Sequence, residues 1–397
     1  MAIATSTSTS TTLRLPVAGG RTEPYTLGPA SPYARSYPLP AKRIAFAAAH
    51  VVADPYADIS PTLDIAIDWD ATLAYRRSLW ALGLRVAEAM DTAQRGMGLD
   101  WAVSKELIAR SIAEAKAVGG HVASGAGTDH LAPDPALTLD AIVAAYEEQV
   151  GYVEGLGGQV ILMASRALAA AATSPDDYAA VYDRILSQVR QPVIIHWLGD
   201  MFDPALRGYW GSADLDAASA TCLDVIRAHA DKVDGIKVSL LDKDREIDLR
   251  RRLPEGVRMY TGDDFNYAAL IAGDDRGYSD ALLGIFDAIA PAAGAAFAAF
   301  DADDLDRYHE IFAPTVPLSR HIFRAPTRFY KTGVVFMAWL NGHQDHFTMV
   351  GGQQSARSLL HLAELYRLAD RAHLFHDPEE TANRMRSFLA TSGVDQG

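Results

Sequence analysis

The chain has 397 residues, 49% of them hydrophobic and 22% charged, with a formal net charge of -14. That is globular composition with material for a large core, and the acidic balance excludes a nucleic-acid footprint or an anionic membrane surface as partner. The single cysteine, Cys222, excludes an intrachain disulfide and a cysteine-rich zinc site, and it fits a reducing, cytoplasmic setting.

Residues 1–40 are rich in Ser, Thr, Pro and Gly and open with a Ser/Thr run, which predicts a flexible, irregular arm. No basic segment followed by an apolar core marks a secretory leader there. The longest alanine-rich run, residues 288–300, is broken by Pro291 and Gly294 and is too short to span a bilayer.

From Arg43 the pattern changes to short apolar runs alternating with helical periodicity. The runs cover residues 43–50, 84–92, 121–129, 159–165, 192–199, 234–240 and 257–264, with a weak eighth at 281–291. Between them, Leu73, Tyr75, Arg76, Leu79 and Trp80 recur at helical spacing. Ser174 and Pro175 form a cap followed by the favoured first helical residue. Eight strand–helix alternations predict a (β/α)8 barrel over residues 41–300. A doubly wound sheet would need a glycine-rich fingerprint after the first strand, and "AAAHVVADP" is not one. Beyond residue 300 the strand signals stop, and residues 301–397 read as a C-terminal helical extension.

Barrel active sites lie at the C-terminal strand ends, so the polar residues closing each run are the candidates. They are His50, Glu88, Asp91, Thr92, Thr128, Asp129, His130, Ser165, His196, Lys237, Ser239, Thr261, Asp263 and Asp264. On the sixth run, period-two alternation places Gly235, Lys237 and Ser239 on one side and Ile236, Val238 and Leu240 on the other. The aliphatic side suits the helices, so Lys237 faces the barrel axis beside His196 and Asp263. Desolvation favours the neutral amine, which attacks carbonyls to form a Schiff base. An ion pair between Lys237 and Asp263 is the plain structural alternative.

These residues resemble the dihydrodipicolinate synthase / N-acetylneuraminate lyase superfamily, the class I aldolase barrels, over residues 43–345. Gly235, Ile236 and Lys237 match the family's G-[I/L]-K on strand six, and "TGDD" at 261–264 matches its strand-seven "GDD". "DTAQRG" stands where the family has "GTTGE", with Thr92 as the matching hydroxyl. The resemblance implies a lyase or aldolase in which Lys237 forms an imine with a 2-oxo acid or sugar-derived carbonyl substrate. His196, in place of the family's strand-five tyrosine, and Thr92 transfer protons. Asp91, Arg95, Thr128, Ser165, Ser239, Gly262, Asp263 and Asp264 line the substrate site, Arg95 as a carboxylate anchor. No cofactor is implied, and a homo-oligomer, dimer or tetramer, is. Two other readings use the same barrel. One is a divalent-metal isomerase or epimerase with ligands from Glu88, Asp91, His130, His196, Asp263 and His50. The other is a non-catalytic ligand-binding barrel.

Overall fold

The computed structural model describes residues 11–394, and the first part of the Ser/Thr run lies outside the described residues. The arm that follows is regular rather than irregular in its middle. Strands β1 (Thr12–Val17) and β2 (Arg21–Thr26) pair antiparallel. Gly19 and Gly20 take φ of +84° and +71° in the turn, a region glycine enters without steric cost. Leu13 and Leu15 are buried while Thr12 and Arg14 are exposed, so an alternation sits inside an otherwise polar composition. The hairpin packs on the helices Leu359–Arg371 and Pro378–Thr391. Asp370 clasps it, accepting from the Tyr25 hydroxyl at 2.7 Å and the Gly28 N–H at 3.0 Å.

The eight apolar runs then close a parallel barrel: β3 (Ala45–Ala48), β4 (Arg85–Glu88), β5 (Val122–Ala126), β6 (Gln159–Leu162), β7 (Val193–Leu198), β8 (Val233–Ser239), β9 (Arg258–Thr261) and β10 (Asp280–Leu283). β10 pairs with both β9 and β3, which closes the ring. The weak eighth run is only in part a strand. After Leu283 the chain turns into the helices Ile285–Ala288 and Ala290–Asp301, because alanine favours helix and Pro291 falls in the first turn, where its missing N–H costs nothing.

Pleat alternation sorts the barrel side chains into two cores. Phe46, Ala48, Ala87, Ile161, Ile194, Tyr260 and Leu282 pack inside the barrel. Ala47, Val86, Ile195, Trp197, Ile236 and Val238 belong to the larger core between the strands and the helices. Ile236 and Val238 thus face outward, as their spacing predicts.

The C-terminal helices are Leu305–Phe312, Thr315–Ile322, Tyr330–Leu340, Leu359–Arg371 and Pro378–Thr391. Every residue of Tyr330–Leu340 is buried, the mark of a helix enclosed on all sides. It packs on the short helix Ile285–Ala288 that follows β10, so this part of the extension covers the C-terminal rim of the barrel. No helix among the described residues is long and apolar enough to cross a membrane.

Candidate active site

Lys237 stands near the C-terminal end of β8, in register with His196 of β7 and Tyr260 of β9. It is only 7% exposed, and among the described residues its Nζ makes no hydrogen bond or ion pair. Burial depresses the proton affinity of this ammonium, against the pull of the Asp264 and Asp91 carboxylates. Space for the side chain comes from the residue that follows β9. A Cβ on Gly262 would lie 2.9 Å from Lys237 Cε and 2.2 Å from Ser239 Oγ. Ser239 Oγ in turn meets His196 Nε2 at 3.2 Å. His196 Nδ1 is buried without a partner, and burial together with the neighbouring Lys237 holds the ring's pKa far below its usual value. His196 is therefore a neutral imidazole with a free ring nitrogen.

Two carboxylates face the lysine. Asp264 is buried and accepts from the Ile285 N–H at 2.9 Å, and burial raises its pKa while Lys237 pulls it down. Asp91 follows β4 in a single turn of 3-10 helix, Asp91–Ala93, and its carboxylate takes no hydrogen bond among the described residues. The next residue, Thr92, bonds through Oγ1 to the hydroxyl of Tyr330 at 2.8 Å. Tyr330 stacks on Phe323 with centroids 4.3 Å apart and meets the edge of Phe202 at 6.0 Å. Gly284, just past β10, allows this approach, since a Cβ there would lie 3.1 Å from Tyr330 Cε2 and 3.4 Å from Thr92 Oγ1.

Beside Asp91 opens a small cavity of about 70 Å3, bounded among others by Arg95, Thr128, Arg166, Leu198 and Asp203. Arg166 pairs through Nε with Asp203 at 2.5 Å, and its two terminal nitrogens make no hydrogen bond or ion pair among the described residues. Lys331, next to Tyr330, is also buried. Burial lowers its pKa to about 8, opposed by Asp91.

A family described as "Protein of unknown function (DUF993)" matches residues 13–394. The chain belongs to the DUF993 family. No curated protein matches the sequence. Among solved structures, this DUF993 chain is similar to YagE of Escherichia coli K12, a prophage protein of the dihydrodipicolinic acid synthase family determined in complex with pyruvate. The identity is 12%, the TM-score 0.65, and the match covers 84% of this chain and 99% of that one. Dihydrodipicolinate synthase from Thermotoga maritima matches at 15% identity and a TM-score of 0.58, over 89% and 99% of the two chains. The enzyme from Oceanobacillus iheyensis matches at 14% identity and 0.59, over 82% and 96%. These likenesses establish the fold, a dihydrodipicolinate synthase-type (β/α)8 barrel.

The expected site residues divide under this geometry. His196, Ser239, Gly262, Asp264 and Asp91 gather around Lys237, Thr92 turns to the Tyr330 hydroxyl instead, and Thr128 borders the cavity. Asp263 does not pair with Lys237. Its carboxylate accepts from the Phe265 N–H at 2.8 Å and from Asn266 Nδ2 at 2.7 Å, which shapes the turn after β9. Arg95 is no free anchor either. Nε and Nη2 bond Asp129 at 3.0 and 2.7 Å, Nη1 bonds the Gly125 and Ala89 carbonyls, and Nη2 also meets Gln149 Oε1. All five donors of the guanidinium are used. Ser165 caps the helix Arg166–Ala171 and bonds Thr128 Oγ1 at 2.6 Å, so its hydroxyl is a structural link.

The suggested metal ligands disperse. Glu88 points outward and forms a bidentate pair with Arg76, 2.8 Å at each oxygen. His50 is held by Asp287 and Gln344, and His130 by Gln149 and Glu148. Among the described residues no three His, Cys, Asp or Glu side chains gather to hold a metal ion. Tyr330, Lys331 and Arg166 were missed by sequence reasoning. Arg166 carried a faint signal, directly following a strand-end serine. The other two lie in the extension, with none.

Proposed function

We propose that the protein is a Schiff-base-forming lyase or aldolase that acts on a 2-oxo acid or a sugar-derived carbonyl compound through Lys237. The observation that carries this reading is a buried lysine at a barrel strand end whose Nζ has no hydrogen bond or ion pair of its own. Unpaired burial costs several kcal/mol for an ammonium, and a structural lysine would avoid it. A nucleophilic amine benefits from it.

The chemistry follows from the neighbours. Lys237 passes a proton to Asp264, whose raised pKa suits it to take one, and the free amine attacks the carbonyl carbon. Loss of water leaves a protonated imine, an electron sink for cleavage or formation of the adjacent carbon–carbon or carbon–oxygen bond. His196, neutral and with Nδ1 free, is placed to accept a proton beside the lysine. Gly262 leaves room for the substrate next to Cε.

The test is borohydride reduction in the presence of a panel of 2-oxo acids, pyruvate first. Mass spectrometry should find the reduced adduct on the peptide containing Lys237, and Lys237→Arg should give none. No adduct across the panel, with catalysis abolished by EDTA, would sink the imine. A dimer or tetramer in the cytoplasm belongs to the same reading, and light scattering of the purified chain tests the assembly.

A further inference from the structure

The N-terminal end of the barrel, opposite Lys237, carries polar side chains that the chemistry above does not employ. Alternation fixes their direction. Arg85, which opens β4, lies two residues before the inward Ala87 and in register with the inward Phe46. Gln159, which opens β6, lies two residues before the inward Ile161 and in register with the inward Ala123. His121, one residue before β5 and two before Ala123, continues the same phase. Three neighbouring strands thus turn polar side chains toward one corner of the barrel floor. A cavity of about 260 Å3 opens there, bordered also by Lys116 and Gln191, and among the described residues no carboxylate lines it. In a chain with 50 acidic and 36 basic residues, that corner runs against the overall balance.

The donors at this corner are unanswered. Among the described residues the side chains of Arg85, His121, Gln159 and Gln191 make no hydrogen bond or ion pair. The Arg85 guanidinium lies over the Phe46 ring, 5.8 Å from its centroid. Burial and the Arg85 charge both lower the proton affinity of His121, so the two groups stand near enough to repel once the ring is charged. The other half of the same floor shows what a structural arginine does. Arg258, two residues before the inward Tyr260, pairs with Asp234 at 2.7 Å and lies 3.6 Å from Asp280. Basic side chains also gather at helix C-termini, where they complement the dipole. Lys116 does so, donating to the Leu156 carbonyl at 2.8 Å just past the helix Leu139–Gly155. Arg85 and the His121 ring reach no carbonyl.

The geometry points to a second binding site at this corner, one that takes a small oxyanion, a phosphate ester or a polycarboxylate, on the Arg85 guanidinium, the His121 ring and the Gln159 amide. A guanidinium binds either group bidentately, and an amide adds N–H donors from the side. Lys116 keeps two hydrogens beyond the one it gives to Leu156. A bound anion favours the charged form of His121, which then adds a charge-assisted hydrogen bond of its own. The site lies at the opposite end of the strands from Lys237 and is independent of the imine reading.

Isothermal titration calorimetry of the full chain tests the site, with inorganic phosphate and citrate as probes and chloride holding the ionic strength constant. One saturable site per chain is expected. Arg85→Gln should weaken it about 10- to 100-fold, the usual worth of hydrogen bonds from one charged donor. Gln159→Glu sets a carboxylate on the inward phase near Arg85, where it occupies the guanidinium and repels the probe, so binding should be lost. Neither side chain is bonded in the fold, so both variants should keep the wild-type urea midpoint. Tighter binding of phosphate assigns the site to phosphate esters, and tighter binding of citrate assigns it to polycarboxylates. No saturable binding of either probe, or binding that both variants leave unchanged, overturns the site.

Discussion

Gly262→Ala is the sharpest probe of how the lysine is accommodated. Gly262 is not among the glycines at positive φ, so alanine fits its backbone and the substitution tests space alone. The new Cβ would lie 2.2 Å from Ser239 Oγ, 2.7 Å from the Val238 carbonyl oxygen and 2.9 Å from Lys237 Cε. Ser239 can rotate away at the expense of its bond to His196. The carbonyl cannot, because it accepts the Gly262 N–H at 2.9 Å in the same place. Overpacking of this kind costs about 1–3 kcal/mol, and stretching that backbone bond adds about 0.5–1.5 kcal/mol, for roughly 2–4 kcal/mol together. Urea unfolding at constant slope should register the loss as a lower midpoint. A thermal scan is a blunter tool, since a chain of 397 residues gains about 0.8 kcal/mol/K of unfolding entropy and the midpoint falls by only a few degrees. Displacing Lys237 Cε by about 1 Å should also slow adduct formation on the order of 10²-fold beyond any loss of folded protein. Adding Ser239→Gly relieves the 2.2 Å contact and should restore part of the stability. An alanine variant with an unchanged urea midpoint and wild-type trapping would refute the packing argument.

Other outcomes follow from the same coordinates. Lys237→Met should abolish the adduct yet raise stability by about 1–3 kcal/mol, since it removes an unpaired buried charge. The unfolded chain binds the Lys237 proton up to about 10.5 and the folded chain releases it earlier. The gain from Met, read by urea titration at several pH values, is therefore largest at low pH and shrinks as pH approaches that value. Glu246 is buried against the Thr261 and Ser279 hydroxyls at 2.9 and 2.7 Å, and burial raises its carboxyl to about 8 from 4.5. Its contribution to stability is full below 4.5 and lost as pH rises through 8. Glu246→Gln should remove that slope, worth on the order of 3–5 kcal/mol across the window, and a wild-type pH–stability profile in the variant would count against the assignment. Arg95→Lys should cost about 2–4 kcal/mol, because lysine leaves the Gly125 carbonyl and Gln149 without donors. Denaturant unfolding reads that loss, whereas a weaker affinity for oxo acids at full stability would restore Arg95 as an anchor.

The barrel was legible because its strands carry their instructions locally. Ile236 and Val238 alternate with Gly235 and Lys237, and the inner and outer cores follow that parity around the ring. The same count separates Asp263 from Asp264. Tyr260 points inward, Gly262 continues that phase against Lys237, and the next residue in phase is Asp264. The expectation of Asp263 beside Lys237 follows the alternation of β8 but not that of β9, which selects Asp264 instead. Glu88 fails as a candidate ligand for the same reason, since it shares the outward phase of Val86. Other errors lie beyond any period. Ala89 takes a φ of +52°, which resets the phase before Asp91. Whether Arg95 is free or fully bonded depends on Asp129 and Gln149, whose positions only the folded chain decides. Tyr330 is separated from Thr92 by 238 residues, and its helix reads simply as apolar. Long-range placement of single polar atoms is what local propensity cannot encode.

The clasp at Asp370 gives the hairpin a mechanical bearing on the site. Tension applied at the N-terminal hairpin passes through the Tyr25 and Gly28 bonds into the helix Leu359–Arg371. That helix packs against both Thr315–Ile322 and Tyr330–Leu340. The load therefore reaches the wall that carries the phenol through side chains, by a route that bypasses the strands around Lys237. A pull from that side would lift the roof from the lysine while the ring of parallel strands stayed closed beneath it.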